Sequence, residues 1–532
     1  MAGDLRTKIC GVLNMERQGR LVQSRRGFFV WLFGGLLLIG CSQGAIYKSS
    51  YGVQRDAPYQ ITASSGLQDE SRFVYFYHFL GYYPVATMRA DALLEPTRAG
   101  AQRELAQHGA SLRTEIGHTT RYGDLGKVWL YFPDLMLRGY RGDLSARPAS
   151  VIAFVLALML VYTSACLARL PIFGLALVLA VGSNPFQISE VYMRDNVFGW
   201  PIIALLLVLA VNLPLIAGNS RTGWRWAAPL LTALLMATVR QLRSEPALIL
   251  GAVGVVYLFL PGLRWRTRVG LTILLLAGFI GVSAAWTAYF LHKIRQADEV
   301  TARHGSRPYP GPRDLHHMVW HPIWCGLGDF GDAKGYVWDD RAAARFALPI
   351  LRSRGAIDGL ELKGKNYNFN AYWDQERHYY RTPYEVPGYN DVIREKVIGD
   401  ITSHPIWYAG ILAKRSLRVL TDTSPVRLTL GSYWIPLPIY GWMLLPAVGI
   451  LIWARSFKPL LLIAVAASTS LTALIVYSGG NITMYSSYHL VLAALLIAWG
   501  GEVWLGRRGE AAAGHAISSA TDKRQNNIAG EA

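Results

Sequence analysis

Cysteine, acidic side chains and charge inside apolar runs are scarce in this sequence, and each shortage excludes a class of protein. Four cysteines, Cys10, Cys41, Cys166 and Cys325, are spread over 532 residues. That number and spacing build no disulfide framework. Asp and Glu total 35 against 53 Lys and Arg, a formal charge of +18. Such a balance often signals nucleic acid, but here much of the excess flanks long uncharged runs, so no nucleic-acid partner is expected. With 52% hydrophobic residues and a mean hydropathy of +0.23, the chain is too apolar for an ordinary soluble domain.

What is present is a series of apolar segments. Runs near 27–46, 149–166, 170–186, 197–217, 226–240, 246–262, 269–290, 433–454, 459–477 and 486–505 read as about ten spans. Those at 170–186 and 226–240 are short, which tilt or local thinning accommodates. Placing the N-terminus in the cytoplasm puts Arg25, Arg26, Arg221, Arg225, Arg264, Arg266, Arg268, Arg455, Lys458, Arg507 and Arg508 on one side. The positive-inside rule selects that orientation. Nearly every Asp, Glu and His then falls in the outer loops. The expectation is an all-α polytopic membrane protein with two large outer, periplasmic loops that contain interfacial helices. Residues 1–26 are cytoplasmic, 47–148 form the first outer loop and 149–290 carry spans two to seven. Residues 291–432 form the large outer loop, 433–505 carry the last three spans, and 506–532 are a disordered tail.

The N-terminus resembles two export signals. Ser24-Arg25-Arg26-Gly27-Phe28-Phe29 has a twin-arginine pattern, and Leu38-Ile39-Gly40-Cys41-Ser42 has a lipoprotein-box pattern. An uncleaved first helix is the better reading, because removing it would undo the topology that the later loops support.

The first outer loop carries two aromatic stretches, Phe73–Phe79 and Trp129–Phe132, suited to interfacial helices whose rings have one wet and one apolar end. The second outer segment is rich in charge, Trp, Tyr, Pro and Gly, and ends in a basic amphipathic stretch through Lys414, Arg415 and Arg418. The tetrapeptide HPIW occurs at 321–324 and 404–407 without a longer repeat.

Four outer connections bring charge to the membrane surface. Asp69 and Glu70 precede the first aromatic stretch. Glu190, Arg194 and Asp195 lie between spans three and four, and Arg240, Arg243 and Glu245 between spans five and six. The long loop adds Asp329, Asp332, Asp339 and Asp340. Ionisable groups held near a bilayer are costly unless paired or facing a polar cavity, which makes them functional candidates; a ring of Arg–carboxylate pairs closing the bundle is the structural alternative.

This arrangement resembles the GT-C superfamily of integral-membrane glycosyltransferases, the group of protein mannosyltransferases and aminoarabinose transferases. The acidic pair Asp69-Glu70 in a long first outer loop, the motif Arg194-Asp195-Asn196 at the start of span four and the large segment after span seven carry the likeness. The resemblance implies transfer of a sugar from a polyprenyl-phosphate donor to a glycan, lipid or protein acceptor, by inverting displacement. No WWD-type acceptor motif and no large soluble C-terminal domain are present, which counts against peptide Asn as acceptor. The chemistry asks for a carboxylate base, with Asp69 the candidate and Glu70 the alternate. It also asks for cations at the leaving phosphate, with Arg240 and Arg243 the candidates and Arg194 beside them. Asp195 and Glu190 are candidates to orient the acceptor, and Asp69 with Asp195 could hold a divalent cation, Mg or Mn. Membrane lipids surround the site, and the bacterial inner membrane is the expected home.

Other motifs are weaker. Gly326–Gly331 matches GxGxxG but follows no expected strand, and Gly359–Lys365 approaches a P-loop whose Ser or Thr is replaced by Asn366. His316, His317, His321 and Cys325 have metal-like spacing that Pro322 interrupts. Asn481-Ile482-Thr483 is a glycosylation sequon close to a span. An O-antigen ligase or polymerase would rely on a pair such as Arg313 and His317 in the long loop. A flippase or transporter would want charge buried along spans, which the runs lack, and internal symmetry. A sensor or assembly scaffold would tolerate loss of Asp69.

Overall fold

The computed structural model describes residues 25–56, 74, 77–81, 95, 97–108, 125–139, 144–193, 197, 199–243, 247–303, 319–331, 333–366, 369–374, 379–381, 386–421, 426–430, 433–437, 441–453 and 457–476. Its helices are α1 (Arg25–Asp56), α2 (Arg98–His108), α3 (Phe132–Arg138), α4 (Arg147–Leu167), α5 (Pro171–Gly182), α6 (Trp200–Ala217), α7 (Thr222–Val239), α8 (Ala247–Leu258) and α9 (Trp265–Arg303). The chain continues with α10 (Trp320–Leu327), α11 (Asp340–Ser353), α12 (Tyr389–Ser403), α13 (Pro405–Thr421), α14 (Leu444–Trp453), α15 (Phe457–Ala467) and α16 (Leu471–Ile475).

Five helical stretches among the described residues are long and apolar enough to cross a membrane: Arg26–Ser49, Arg147–Leu167, Trp200–Ala217, Trp265–Glu299 and Lys458–Ile475. They coincide with the expected spans one, two, four, seven and nine. The expected spans three and six form the shorter apolar helices α5 and α8. Span five is α7, whose start is diluted by Arg225 and two tryptophans. The tenth, 486–505, lies outside the described residues, as do the tail and the sequon.

The described part is mostly helical, as expected, but it also holds two small sheets that an all-α reading did not foresee. Strands β1 (Leu360–Asn366), β2 (Phe369–Asp374) and β3 (Tyr379–Arg381) form an antiparallel sheet, and β4 (Val426–Leu430) pairs with β5 (Tyr433–Leu437). β5 occupies the stretch read as the start of span eight, so that span's helix begins only at Leu444. Hydropathy alone does not separate Tyr-Trp-Ile-Pro-Leu in a strand from the same residues in a span. Pro436 fits because a two-stranded sheet leaves edge positions that require no amide donor.

The bundle core is built from residues that alternate around α4 and α6, including Phe154, Leu158, Val161, Ile203, Leu206 and Leu213. α9 runs along α7, α6 lies between α4 and α7, and α15 packs on α6 and α8. Helix association in an apolar surrounding depends on close packing and interhelical hydrogen bonds rather than on water exclusion. Such bonds occur where α1 meets α4, through Tyr162 Oη to the Trp31 carbonyl at 2.5 Å. In the interior, Asn212 Nδ2 donates to Thr232 Oγ1 at 2.9 Å while Tyr257 Oη donates to Asn212 Oδ1, tying α6, α7 and α8.

A second core belongs to the long loop. Trp324, Tyr336, Leu351, Tyr389, Ile393 and Val397 form its centre. Both copies of HPIW open helices here, where proline has no amide to lose. Their tryptophans both pack against Tyr336, Trp324 at 4.6 Å and Trp407 at 5.8 Å between ring centroids.

Helix α13 spans the two cores, with Ile411 in the second and Val419 in the bundle, and a buried arginine lies between them. Arg415 of α13 and Asp329, in the turn after α10, are both fully buried and form an ion pair at 3.1 Å. Arg415 Nη1 also donates to the carbonyls of Leu474 at 2.9 Å and Ile475 at 3.1 Å, at the end of α16. Burial pushes the guanidinium below its ordinary pKa, and Asp329 offsets part of that. Phe330 lies under Arg418 at 4.5 Å and Lys414 at 5.7 Å. The GxGxxG segment is thus the landing for α13. Its Gly328 is required there, because a Cβ would stand 2.5 Å from the Val337 backbone.

Two predictions follow from these contacts. Arg415→Met leaves the Asp329 carboxylate buried without its ion-pair partner and should cost about 3–5 kcal/mol, with much of the loss recovered in Arg415→Met/Asp329→Leu. Thermal unfolding of the detergent-solubilised chain measures both, and an unchanged single variant would show that the pair does not hold the cores together. The second concerns Asp400, which accepts from Lys396 Nζ at 2.5 Å and Tyr336 Oη at 2.8 Å. Burial acts upward on its pKa, but those two hydrogen bonds together with the charges of Lys396 and Lys334 outweigh it, and the net shift is downward. The folded value therefore lies below the unfolded one of about 3.9, so this stabilisation is present above that pH and lost as pH falls through the folded value. Wild type should lose its advantage over Asp400→Asn below about pH 4, and a difference that persists to pH 2 would contradict it.

Candidate functional site

Helices joined by short turns alternate in direction, so the start of α4, the turn before α6 and the end of α7 share one end of the bundle. The α7 end carries Arg240, Gln241 and Arg243 in consecutive turns, with Arg240 N and Arg243 N donating to the Met236 and Val239 carbonyls, both at 3.0 Å. Arg243 is only 7% exposed, whereas Arg240 is half-buried, its guanidinium 5.8 Å from the Phe279 ring centroid on α9. Cations at a helix C-terminus meet the negative end of the backbone dipole, which favours both arginines locally.

The connection between α1 and α4 is anchored at this turn. Residues Leu125–Tyr131 form a 3₁₀ segment whose Gly126 amide donates to the Gln241 carbonyl at 3.0 Å. Only glycine permits that approach, since a Cβ would lie 2.8 Å from the Gln241 side chain and 2.9 Å from its carbonyl oxygen. Three residues later Trp129 stacks into α9, 4.8 Å from Trp286 and 5.7 Å from Phe290. Trp286 Nε1 donates to Thr238 Oγ1 at 3.2 Å, one turn before Arg240–Gln241. Tyr77, from the first aromatic stretch, hydrogen-bonds Tyr289 and packs on Phe132 at 5.6 Å. Lys293 sits 5.8 Å from the Tyr289 ring. The result is an aromatic wall with cations along its edge, one part from the first loop and the other from α9.

Glu190 belongs to a different element. It is 6% exposed on a π-helical turn, Ser189–Met193, that packs on α1 and α4. Tyr192 in the same turn donates to Gln43 Oε1 at 2.8 Å, and Gln43 Nε2 donates to the Gly182 carbonyl at 3.2 Å. Wide π turns recur at functional sites because they shift side chains out of the regular helical register.

Of the expected site residues, the structure brings together Arg240 and Arg243 and puts Glu190 on the π turn. Asp69, Glu70, Arg194, Asp195 and Glu245 lie outside the described residues, as do Arg313, His316, His317 and Asp332. His321 is buried and shares a hydrogen bond of 2.9 Å with the Tyr389 hydroxyl. Among the described residues no group of three or more His, Cys, Asp and Glu is placed to hold a metal. Asp339 caps α11 by accepting from the Arg341 amide at 3.0 Å, and Asp329 is committed to Arg415. Sequence reading did not single out Gly126, Gln241 or Trp286. A glycine three residues before an aromatic run was the available signal, and its partner is over a hundred positions away.

No protein-family model, no curated protein and no solved structure matches the chain.

Gly126→Ala should release the 3₁₀ segment from the arginine turn. Loss of a buried hydrogen bond plus the steric push raises amide exchange across 125–131 by about tenfold, read by hydrogen–deuterium exchange mass spectrometry. Exchange at the wild-type rate would show that this contact does not hold the segment.

Proposed function

We propose that the chain is an integral-membrane glycosyltransferase of the GT-C type, which moves a sugar from a polyprenyl-phosphate donor to a glycan, lipid or protein acceptor. It works at the periplasmic face of a bacterial inner membrane, with about ten spans and both termini cytoplasmic. The observation that carries this reading is the docking of the first-loop segment 125–131 against the turn that holds Arg240 and Arg243. An enzyme on that face has no cytosolic activated sugar to draw on, so its donor must arrive already activated on a lipid. Displacing the lipid phosphate develops negative charge on the leaving group, and paired guanidiniums at the end of a span suit it. The aromatic wall of Trp129, Trp286 and Phe290 beside them offers apolar area for a prenyl chain or a sugar face.

In this scheme Asp69 takes the acceptor proton, with Glu70 as alternate, and the acceptor oxygen attacks the anomeric carbon as the bond to the phosphate breaks. Arg243 and Arg240, with Arg194, stabilise the departing phosphate. Glu190 and Asp195 orient the acceptor. Asp69 and Asp195 are the carboxylates available to a divalent cation.

The test is the envelope glycan profile of a deletion strain complemented with wild type, Asp69→Asn or Arg243→Gln at matched membrane levels. Wild type should restore a missing sugar, and each variant should lower transfer by about 10²–10³-fold. Full restoration by Asp69→Asn removes that residue as the base and moves the ligase and transporter readings ahead.

A further inference from the structure

Toward the other end of the bundle, α4, α6 and α7 line an open-sided cavity of about 630 Å³. That volume is in the range of small-molecule pockets, about 300–1,000 Å³. Its walls are mostly apolar, with Leu160, Leu207, Val211 and Leu235 among them; Thr163 and Ser164 of α4 are polar, and Asn219, Ser220 and Arg221 follow one another in the turn between α6 and α7. Four of the polar side chains in its lining are already engaged: Thr163 Oγ1 donates to the Met159 carbonyl at 2.8 Å and Ser164 Oγ to the Ala210 carbonyl, and Asn219 and Trp224 are held as well. Asn219 Nδ2 donates to the Ala168 carbonyl at 2.7 Å, and Trp224 Nε1 to the Val211 carbonyl at 3.1 Å. Two remain available. The Ser220 hydroxyl is buried with no partner among the described residues, and Arg221 is exposed at the rim.

The charge around that rim is one-sided. Arg169 follows Ala168 in the turn that Asn219 holds, Arg225 lies one helical turn beyond Arg221, and Lys458 Nζ donates to the Ala217 carbonyl at 2.8 Å. No Asp or Glu occurs in 144–189 or 196–244. A long apolar slot capped by a guanidinium, a free hydroxyl and a cationic rim matches an amphiphile with an anionic head. Free phosphate would gain nothing from the walls, and a neutral lipid nothing from Arg221.

We propose that this cavity binds an anionic glycerophospholipid of the surrounding bilayer, an acyl chain along α4 and α6 and the headgroup phosphate at Arg221 and Ser220. The proposal rests on the membrane-embedded part of the reading above and not on glycosyl transfer.

The full chain, extracted in mild detergent from membranes containing phosphatidylglycerol and phosphatidylethanolamine, is assayed for retained lipid by native mass spectrometry. Flotation of the wild-type membranes in the same preparation tests embedding separately. Phosphatidylglycerol should be retained in preference to phosphatidylethanolamine. Arg221→Gln, which removes the head contact, and Leu160→Trp, which fills the slot from its exposed wall, should each weaken retention by about tenfold. Arg26→Gln, in another basic flank, should leave it unchanged. Equal retention of the two lipids, equal loss with Arg26→Gln, or no loss with either cavity variant overturns the proposal. So does crosslinking that places residues 486–505 in the slot with no lipid retained.

Discussion

The guanidinium of Arg415 ties the turn after α10 to the end of α16 through one buried group. It sits on an amphipathic helix, yet it points inward to the Asp329 carboxylate and to two carbonyls at the end of α16. Burying an ion pair gives little net stability by itself, because desolvation consumes most of the attraction. Its use is positional. A guanidinium that must satisfy a carboxylate and two helix-terminal carbonyls leaves few arrangements of the long loop over the bundle. The rest of α13 can then keep an outward face, and Ile406 is 88% exposed there.

The arginine turn follows a similar logic on the other loop. A single backbone hydrogen bond, Gly126 to Gln241, sets the first loop beside Arg240 and Arg243. Stacking of Trp129 on the α9 aromatics extends that contact, and rings a few ångströms apart add about 0.5–1.5 kcal/mol per pair beyond their buried area. Segment 125–131 is thereby held both at a backbone point and on an aromatic wall.

With no matching relative, the functional reading depends on what the groups can do. Paired arginines at the end of a bundle, one of them nearly buried, suit an anion that arrives from the membrane plane. Structural arginines at a helix C-terminus would look similar in isolation. The adjoining first-loop segment, rather than the charges themselves, favours a reaction site.

Much of the architecture was legible in the sequence because hydropathy and flanking charge act locally. The stretches near 27–46, 149–166, 197–217, 269–290 and 459–477 need only be long and uncharged to give helices able to cross a membrane. The strands at 360–381 and 426–437 were not legible. A five-residue strand such as Tyr433–Leu437 is as apolar as a span, and only its pairing partner distinguishes it. Arg240 and Arg243 were visible as charges at a short turn, but the glycine that brings the first loop to them was not. Arg415 read as one cation among three on an amphipathic helix. Composition and periodicity determined which segments avoid water, because that free energy is summed residue by residue. Which arginine is buried, which glycine bears a backbone contact and which cavity stays open were decided only by the tertiary structure, because each depends on atoms tens to hundreds of residues apart meeting at hydrogen-bond distance.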